Sequence, residues 1–291
     1  MSQSGARNGP ARMPRDTYPS IRVSTEYFLR NIDLATRLHG GTLVGGLVFL
    51  AIWHAWMKNP VARPLSAREV ARRLHLPHET VRRHVAALVR AGQCIATPEG
   101  VAINPAFLRC RKAIDFLRAT SRNAERLLLD LTRAGMANYA KPLRRENRRA
   151  SLTPEQRVLA TVSTGQIFVG IALLAELWPN DPLRGLVYTA IWAANVKHVT
   201  NTAPAAVRDV LPDDRRLPVS VLAIANSLRL PYETVRRHAN ALVKDGICIR
   251  VGRSGLVVPG AVHRRFSSSS LRSYENMKAL VDELRRGGIE V

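Results

Sequence analysis

Two nine-residue runs carry the side chains best suited to chemistry. Leu76–His84 reads LPHETVRRH and Leu230–His238 reads LPYETVRRH, and they agree at eight of nine positions. Each sets Glu, Thr and two Arg side by side after a Leu-Pro. Glutamate is an acceptor only, and arginine is a donor only, with a planar fork of N–H groups. Such a set suits donor–acceptor recognition of a polar edge or a phosphate. At helical spacing Val81, Val85, Leu88 and Val89 face inward, and His78, Glu79, Arg82, Arg83 and Ala86 face outward. The twin's outward set is Tyr232, Glu233, Arg236, Arg237 and Asn240. There is also a plain surface reading. Glu at i and Arg at i+4 form an ordinary helix pair worth ~0.2–0.5 kcal/mol, and Glu in a first turn suits the helix dipole.

The runs belong to a longer duplication. Leu65–Ile95 and Val219–Ile249 share 17 identities over 31 ungapped positions, all at an offset of 154. Upstream, Gly46–Met57 (GLVFLAIWHAWM) matches Gly185–Val196 (GLVYTAIWAANV) at an offset of 139, so the second copy carries 15 extra residues, expected as a loop around Asp209 to Arg216. Downstream, Asp130, Arg133 and Gly135 are matched to Asp282, Arg285 and Gly287. The chain is expected to divide into a disordered basic N-terminal arm over 1–23, a first unit over 24–135, a basic linker over 136–152 and a second unit over 153–291. The linker holds Lys141, Pro142, Arg144, Arg145, Arg148 and Arg149.

Charge narrows the function. The 291 residues hold 44 Lys+Arg against 22 Asp+Glu, a formal net charge of +22. That surplus implies a polyanionic partner, either nucleic acid or an acidic membrane surface. The apolar share, 46%, is enough for a packed core. Three cysteines are too few and too odd for a disulfide scaffold, which implies a reducing, cytoplasmic compartment. Thr42–Met57 is shorter than the ~20 apolar residues of a membrane span, and its twin carries Thr189 and Asn195, so a buried helix and no membrane partner are expected. The N-terminus lacks the apolar run of a secretory signal.

Catalytic and metal signals are thin. Gly40-Gly41 and Gly45-Gly46 lack the Lys-Ser/Thr of a phosphate-binding loop. No nucleophile elbow or zinc-hydrolase motif is present. Of His75, His78 and His84, the twin retains only His238, which argues against a metal. Cys94 and Cys248 sit at matched positions and read as small buried hydrophobes. Neither enzyme activity nor a cofactor is expected.

The elements of each unit follow from periodicity and caps. Ser24 is expected to cap a first helix ending at Gly40-Gly41. Thr153-Pro154-Glu155 and Asp181-Pro182 place caps before a first-turn proline. Ser66 caps a short helix with Val70, Ala71 and Leu74 inward. Leu76-Pro77 breaks it, and the second helix runs from about His78 to Ala91, ended by Gly92. Cys94-Ile95 and Val101–Ile103 are expected as two short strands, as are Ile247–Val251 and Leu256–Val258. One long helix with Phe107, Cys110, Ile114, Leu117, Ala124, Leu128 and Leu131 on a stripe closes the first unit. The fold class expected is mainly α: two tandem winged helix-turn-helix units with long flanking helices and short β-hairpin wings.

The residues also resemble known families. E-T-V-x-R, at Glu79–Arg83 and Glu233–Arg237, is similar to the recognition helix of Crp/Fnr regulators. The run V-A-R-R-L…T-V-R-R-H-V-A-A-L-V-R-A-G resembles the MarR, ArsR and IclR groups, over about 40 residues per copy. The cyclic-nucleotide β-roll of Crp-like proteins and the effector domain of IclR-like ones are missing. The helix order is closer to a MarR-like subunit, and MarR-like proteins are dimers. The resemblance implies a sequence-specific double-stranded DNA-binding transcriptional regulator, cytoplasmic and nucleoid-associated. It would act as a single-chain pseudo-dimer, or as a homodimer of such chains, with any small-molecule effector unidentified. In the Crp/Fnr family the Glu and the second Arg read bases, which maps to Glu79, Arg83, Glu233 and Arg237. His78, Arg82, Tyr232, Arg236 and Asn240 complete the outward surface, and Thr80 and Thr234 are placed to hold phosphate. His84 and His238 lie between the faces, as phosphate contacts or structural histidines. Arg253, with Arg250, extends the second wing. The alternative is a plasmid- or phage-type replication initiator with paired winged-helix domains. A sequence-independent architectural protein ranks third.

Overall fold

The computed structural model describes residues 14–40, 42–61, 63–141, 151–179, 181–202, 209–253 and 255–291. It is mainly helical. The first half runs α1 (Thr17–Leu38), α2 (Leu43–Lys58), α3 (Ala67–Leu74), α4 (His78–Arg90), β1 (Cys94–Thr97), β2 (Gly100–Ile103), α5 (Pro105–Leu108) and α6 (Arg111–Arg133). The second runs α7 (Pro154–Leu177), α8 (Pro182–Thr202), β3 (Val219–Ser220), α9 (Val221–Leu228), α10 (Tyr232–Lys244), β4 (Ile249–Val251), β5 (Gly255–Val257), α11 (Gly260–Arg265) and α12 (Ser267–Arg286). The same order of helices and hairpin therefore occurs twice. β1 pairs antiparallel with β2, and β4 with β5. β3 adds to β5, as the single bridge Leu65–Val101 does in the first half.

Local chemistry explains most boundaries. The Ser66 hydroxyl accepts from the Glu69 N–H at 3.2 Å while the Glu69 carboxylate accepts from the Ser66 N–H at 2.8 Å, a reciprocal cap on α3. Thr153 and Gln156 do the same for α7, with Pro154 in the first turn. The Asp181 carboxylate accepts from the Arg184 N–H at 3.0 Å and caps α8. Gly46 and Gly185 are matched for a packing reason. A Cβ on Gly46 would lie 2.4 Å from the Ala35 carbonyl oxygen, and one on Gly185 would lie 2.9 Å from the Trp178 ring. Both glycines let the second helix of a half cross closely over the first.

Four sequence expectations need correction. Residues 17–23 are no arm: α1 starts at Thr17, and Arg22 is buried at 3% exposure. Pro19 falls in the first turn, where its missing N–H costs no helical bond. Ser24 lies buried inside α1 rather than at its cap. The closing helix is two helices, with Phe107 on α5 and a break at Arg109-Cys110 before α6. Finally, Gly135 pairs with Gly288, not Gly287: both end their helix at φ +83°, and α12 aligns with α6 at an offset of 153. The extra residues of the second copy around Asp209 to Arg216 form a loop that turns side chains inward. Arg216 is buried, and its guanidinium donates to the carbonyls of Leu211 and Val258, both at 2.9 Å. Residues 1–13 of the expected arm and 142–150 of the expected linker lie outside the described residues.

Neither half closes its own core. α1 packs on α8, α9 and α12, and α7 packs reciprocally on α2, α3 and α6. One core cluster draws Val48, Phe49 and Trp53 together with Ile167, Ile191 and Trp192. A second joins Tyr27, Leu128 and Leu159 to Leu280 and Leu284. A buried polar chain also crosses between halves. Ser163 is bonded to the Tyr27 hydroxyl and accepts from the Asn31 amide at 3.3 Å, while Asn123 donates to Asn31 at 2.9 Å. α7 is the one described helix long and apolar enough to cross a membrane, and Leu159, Ile167, Phe168 and Ile171 on it are buried in this shared core.

Candidate nucleic-acid interface

Helices α4 and α10 are each the second of a tight helix pair. The turn between α3 and α4 puts His75 in the left-handed region at φ +52°, and Arg229 does the same between α9 and α10. These are the only non-glycine residues with positive φ among those described. The turn is closed by the Leu76 N–H donating to the Ala71 carbonyl at 3.0 Å, and by Leu230 to Ala225 at 3.1 Å. Val81 and Leu88 bury α4 against α2 and α3, and Val235, Ala239 and Leu242 bury α10 against α8 and α9. The opposite faces are left to solvent.

On those faces the two halves repeat one pattern. Arg82 grips Glu79 with two hydrogen bonds of 2.8 Å, and Arg236 grips Glu233 at 2.8 and 2.6 Å. The bonds from arginine hold both carboxylates below their ordinary pKa. Arg83 and Arg237 are exposed and have no ion-pair partner among the described residues. Each half therefore presents one uncommitted guanidinium fork beside a self-satisfied Glu–Arg pair. A planar fork of this kind matches two acceptors at once. His78 and Tyr232 are exposed at the start of the helices, and Thr80 and Thr234 are half-buried.

His238 is turned away from the outward surface, and His84 lies at its edge. His84 is half-buried against Gly45 of α2. His238 is buried, its Nδ1 3.4 Å from the Asp181 carboxylate at the start of α8. Burial lowers both pKa values, with Arg83 adding to the effect at His84. Each thus packs between α4 or α10 and the second helix of its half. Periodicity put them at the edge of the face, and only the position of α2 and α8 decides the side.

The flanks differ between halves. In the second, Arg250 on β4 donates to the Asn240 side chain at 2.6 Å, tying the hairpin to α10. Arg253 is exposed at the hairpin turn. In the first, the exposed cations lie instead on α3, at Arg68 and Arg72. The sequence signal for that pair was present: they are four residues apart, opposite Val70 and Leu74. The matching face of α9 carries Leu222, 56% exposed. Lys141 pairs with Glu155 at 3.1 Å and Glu290 at 3.4 Å, so it anchors the linker's start rather than extending into solvent.

No group of His, Cys, Asp and Glu able to hold a metal occurs among the described residues. Cys94 and Cys248 are buried, and burial pushes both thiols up to about 12. Comparison with protein-family models, with curated proteins and with solved structures gives no match.

Proposed function

We propose that the chain is a sequence-specific double-stranded DNA-binding transcriptional regulator, built as two winged helix-turn-helix units in one pseudo-dimer. One observation carries this reading: the same exposed face occurs twice, each time with a free arginine beside a Glu–Arg pair on the second helix of a helix–turn–helix–hairpin run. The major groove admits such a helix, and an Arg fork matches G O6/N7. The net charge of +22 supplies the sequence-independent attraction to phosphate. Reciprocal packing of α1 and α7 is the pattern of two-fold symmetry, in which one surface contacts the other and is contacted in return. That favours half-sites in an inverted repeat.

Selection from random duplexes tests the reading. Wild type should return a bipartite motif with a shared core. Arg83→Ala and Arg237→Ala should each cost about 1–3 kcal/mol and relax selection at one position of one half-site. Equal loss on all sequences, with the motif unchanged, would make these residues phosphate contacts and defeat the assignment. The pseudo-dimer is tested separately, by sedimentation of the saturated complex. One chain should occupy a full site; two chains per minimal site would show a dimer of doubles.

A further inference from the structure

A cavity of ≈ 140 Å³ lies between α1 of the first half and α7, α8 and α12 of the second. Matched positions show how it opens. Gly170 stands where the first half has Asn31, Ser269 where it has Phe116, and Ser270 where it has Leu117. In the first half Phe116 packs on Trp53, with ring centroids 5.5 Å apart. Trp192, the counterpart of Trp53, has no such ring on that side and stacks on His263 at 5.0 Å. Ser267–Ser270 form the first turn of α12. Its buried members, Ser269 and Ser270, are small side chains lining the cavity.

The lining is chemically specific. Phe28, Tyr188, Trp192 and Phe266 supply aromatic walls, and no charged side chain among the described residues takes part. Trp192 Nε1 and His263 Nε2 have no hydrogen-bond partner among the described residues, although both residues are only 6% exposed. Buried polar groups are nearly always paired, so two orphans at one cavity call for a missing partner. Burial, with the nearby charges of Arg216, Arg22 and Arg264, keeps the imidazole neutral. An apolar cavity of about 150 Å³ accepts a benzene-sized molecule.

We propose that this cavity is a binding site for a small neutral aromatic molecule carrying a hydroxyl or carbonyl oxygen, which accepts the Trp192 indole N–H. The site does not depend on the DNA-binding reading, and it is tested on the full chain alone. Phenol and toluene are the probes, followed by calorimetric titration and by the thermal midpoint. Phenol should bind saturably and raise the midpoint, and toluene should bind about tenfold more weakly for want of the hydrogen bond. Trp192→Phe keeps a ring but removes the donor; it should bring phenol down to the affinity of toluene and leave toluene unchanged. Ser269→Phe restores the twin's side chain and should abolish binding of both probes. Ser270→Leu serves the same end should Ser269→Phe fail to fold. The proposal is overturned by folded wild type that binds neither probe, by phenol affinity insensitive to Trp192→Phe, or by binding that survives the folded filling variant.

Discussion

Lowering the pH from 6 to 5 should remove about 3–4 kcal/mol of folding stability. Three imidazoles are responsible. Burial lowers His39 to about 4, with the Lys112 and His84 charges adding to it. Burial lowers His54 to about 4, with Arg73 and Lys58 contributing. Burial lowers His263 to about 3, with Arg216, Arg22 and Arg264 contributing. The geometry at His54 agrees: the Arg73 guanidinium, which has only donors, lies 3.1 Å from Nδ1, so that nitrogen accepts and the ring is neutral. In the unfolded chain each histidine titrates near ~6.5. Their folded pKa values are depressed, so their contribution is complete above that value and is lost as pH falls toward about 4. Near pH 5 the unfolded state holds almost three more protons, and each proton is worth about 1.36 kcal/mol per pH unit. Total stability of a domain is about 5–15 kcal/mol, so the chain should unfold by roughly pH 4. Denaturant titrations at pH 7, 6 and 5 measure this. A change under ~1 kcal/mol between pH 6 and 5 would show that these rings accept protons in the folded state.

Asn195→Leu should cost about 3–6 kcal/mol, with little change in side-chain volume. Asn195 is fully buried, and every polar contact it makes is to backbone. Its amide donates to the carbonyls of Leu217 at 2.7 Å and Leu256 at 3.0 Å, and its oxygen accepts from the Val258 N–H at 2.9 Å. Leucine would strand all three groups, and each buried unpaired group costs about 1–3 kcal/mol. The matched residue in the first half is Trp56, which is exposed. The lock therefore belongs to the second half alone, where it ties α8 to the segment returning from the inserted residues and to β5. Chemical denaturation of Asn195→Leu beside Trp56→Leu checks this. The second variant should be near neutral. Equal stability of Asn195→Leu and wild type would mean that water reaches the freed groups.

The sequence repeat, the paired helices α3–α4 and α9–α10, and the Ser66 and Thr153 caps were legible in the sequence because they rest on interactions within a few residues. Ser66 meets Glu69 within one helical turn, Val81 and Leu88 repeat at helical spacing, and Pro and Gly punctuate the chain where backbone geometry requires it. The outward placement of Arg83 and Arg237 follows from the same spacing. Another local signal, Val23-Ser24-Thr25 matching Val162-Ser163-Thr164 at an offset of 139, marks residues 17–23 as part of the first helix, although Pro19 and the basic residues there read as an arm. What the chain does over long separations was not legible. The packing of α1 and α7 across the two halves, the burial of His238 beside Asp181, and the three bonds of Asn195 each join residues far apart in sequence. The cavity beside Trp192 is the clearest case. Gly170, Ser269 and Ser270 look unremarkable singly, and only packing four helices around one point leaves their missing volume as a space. Periodicity tells which face of a helix is apolar, but packing against particular neighbours determines which atoms fill the space opposite it.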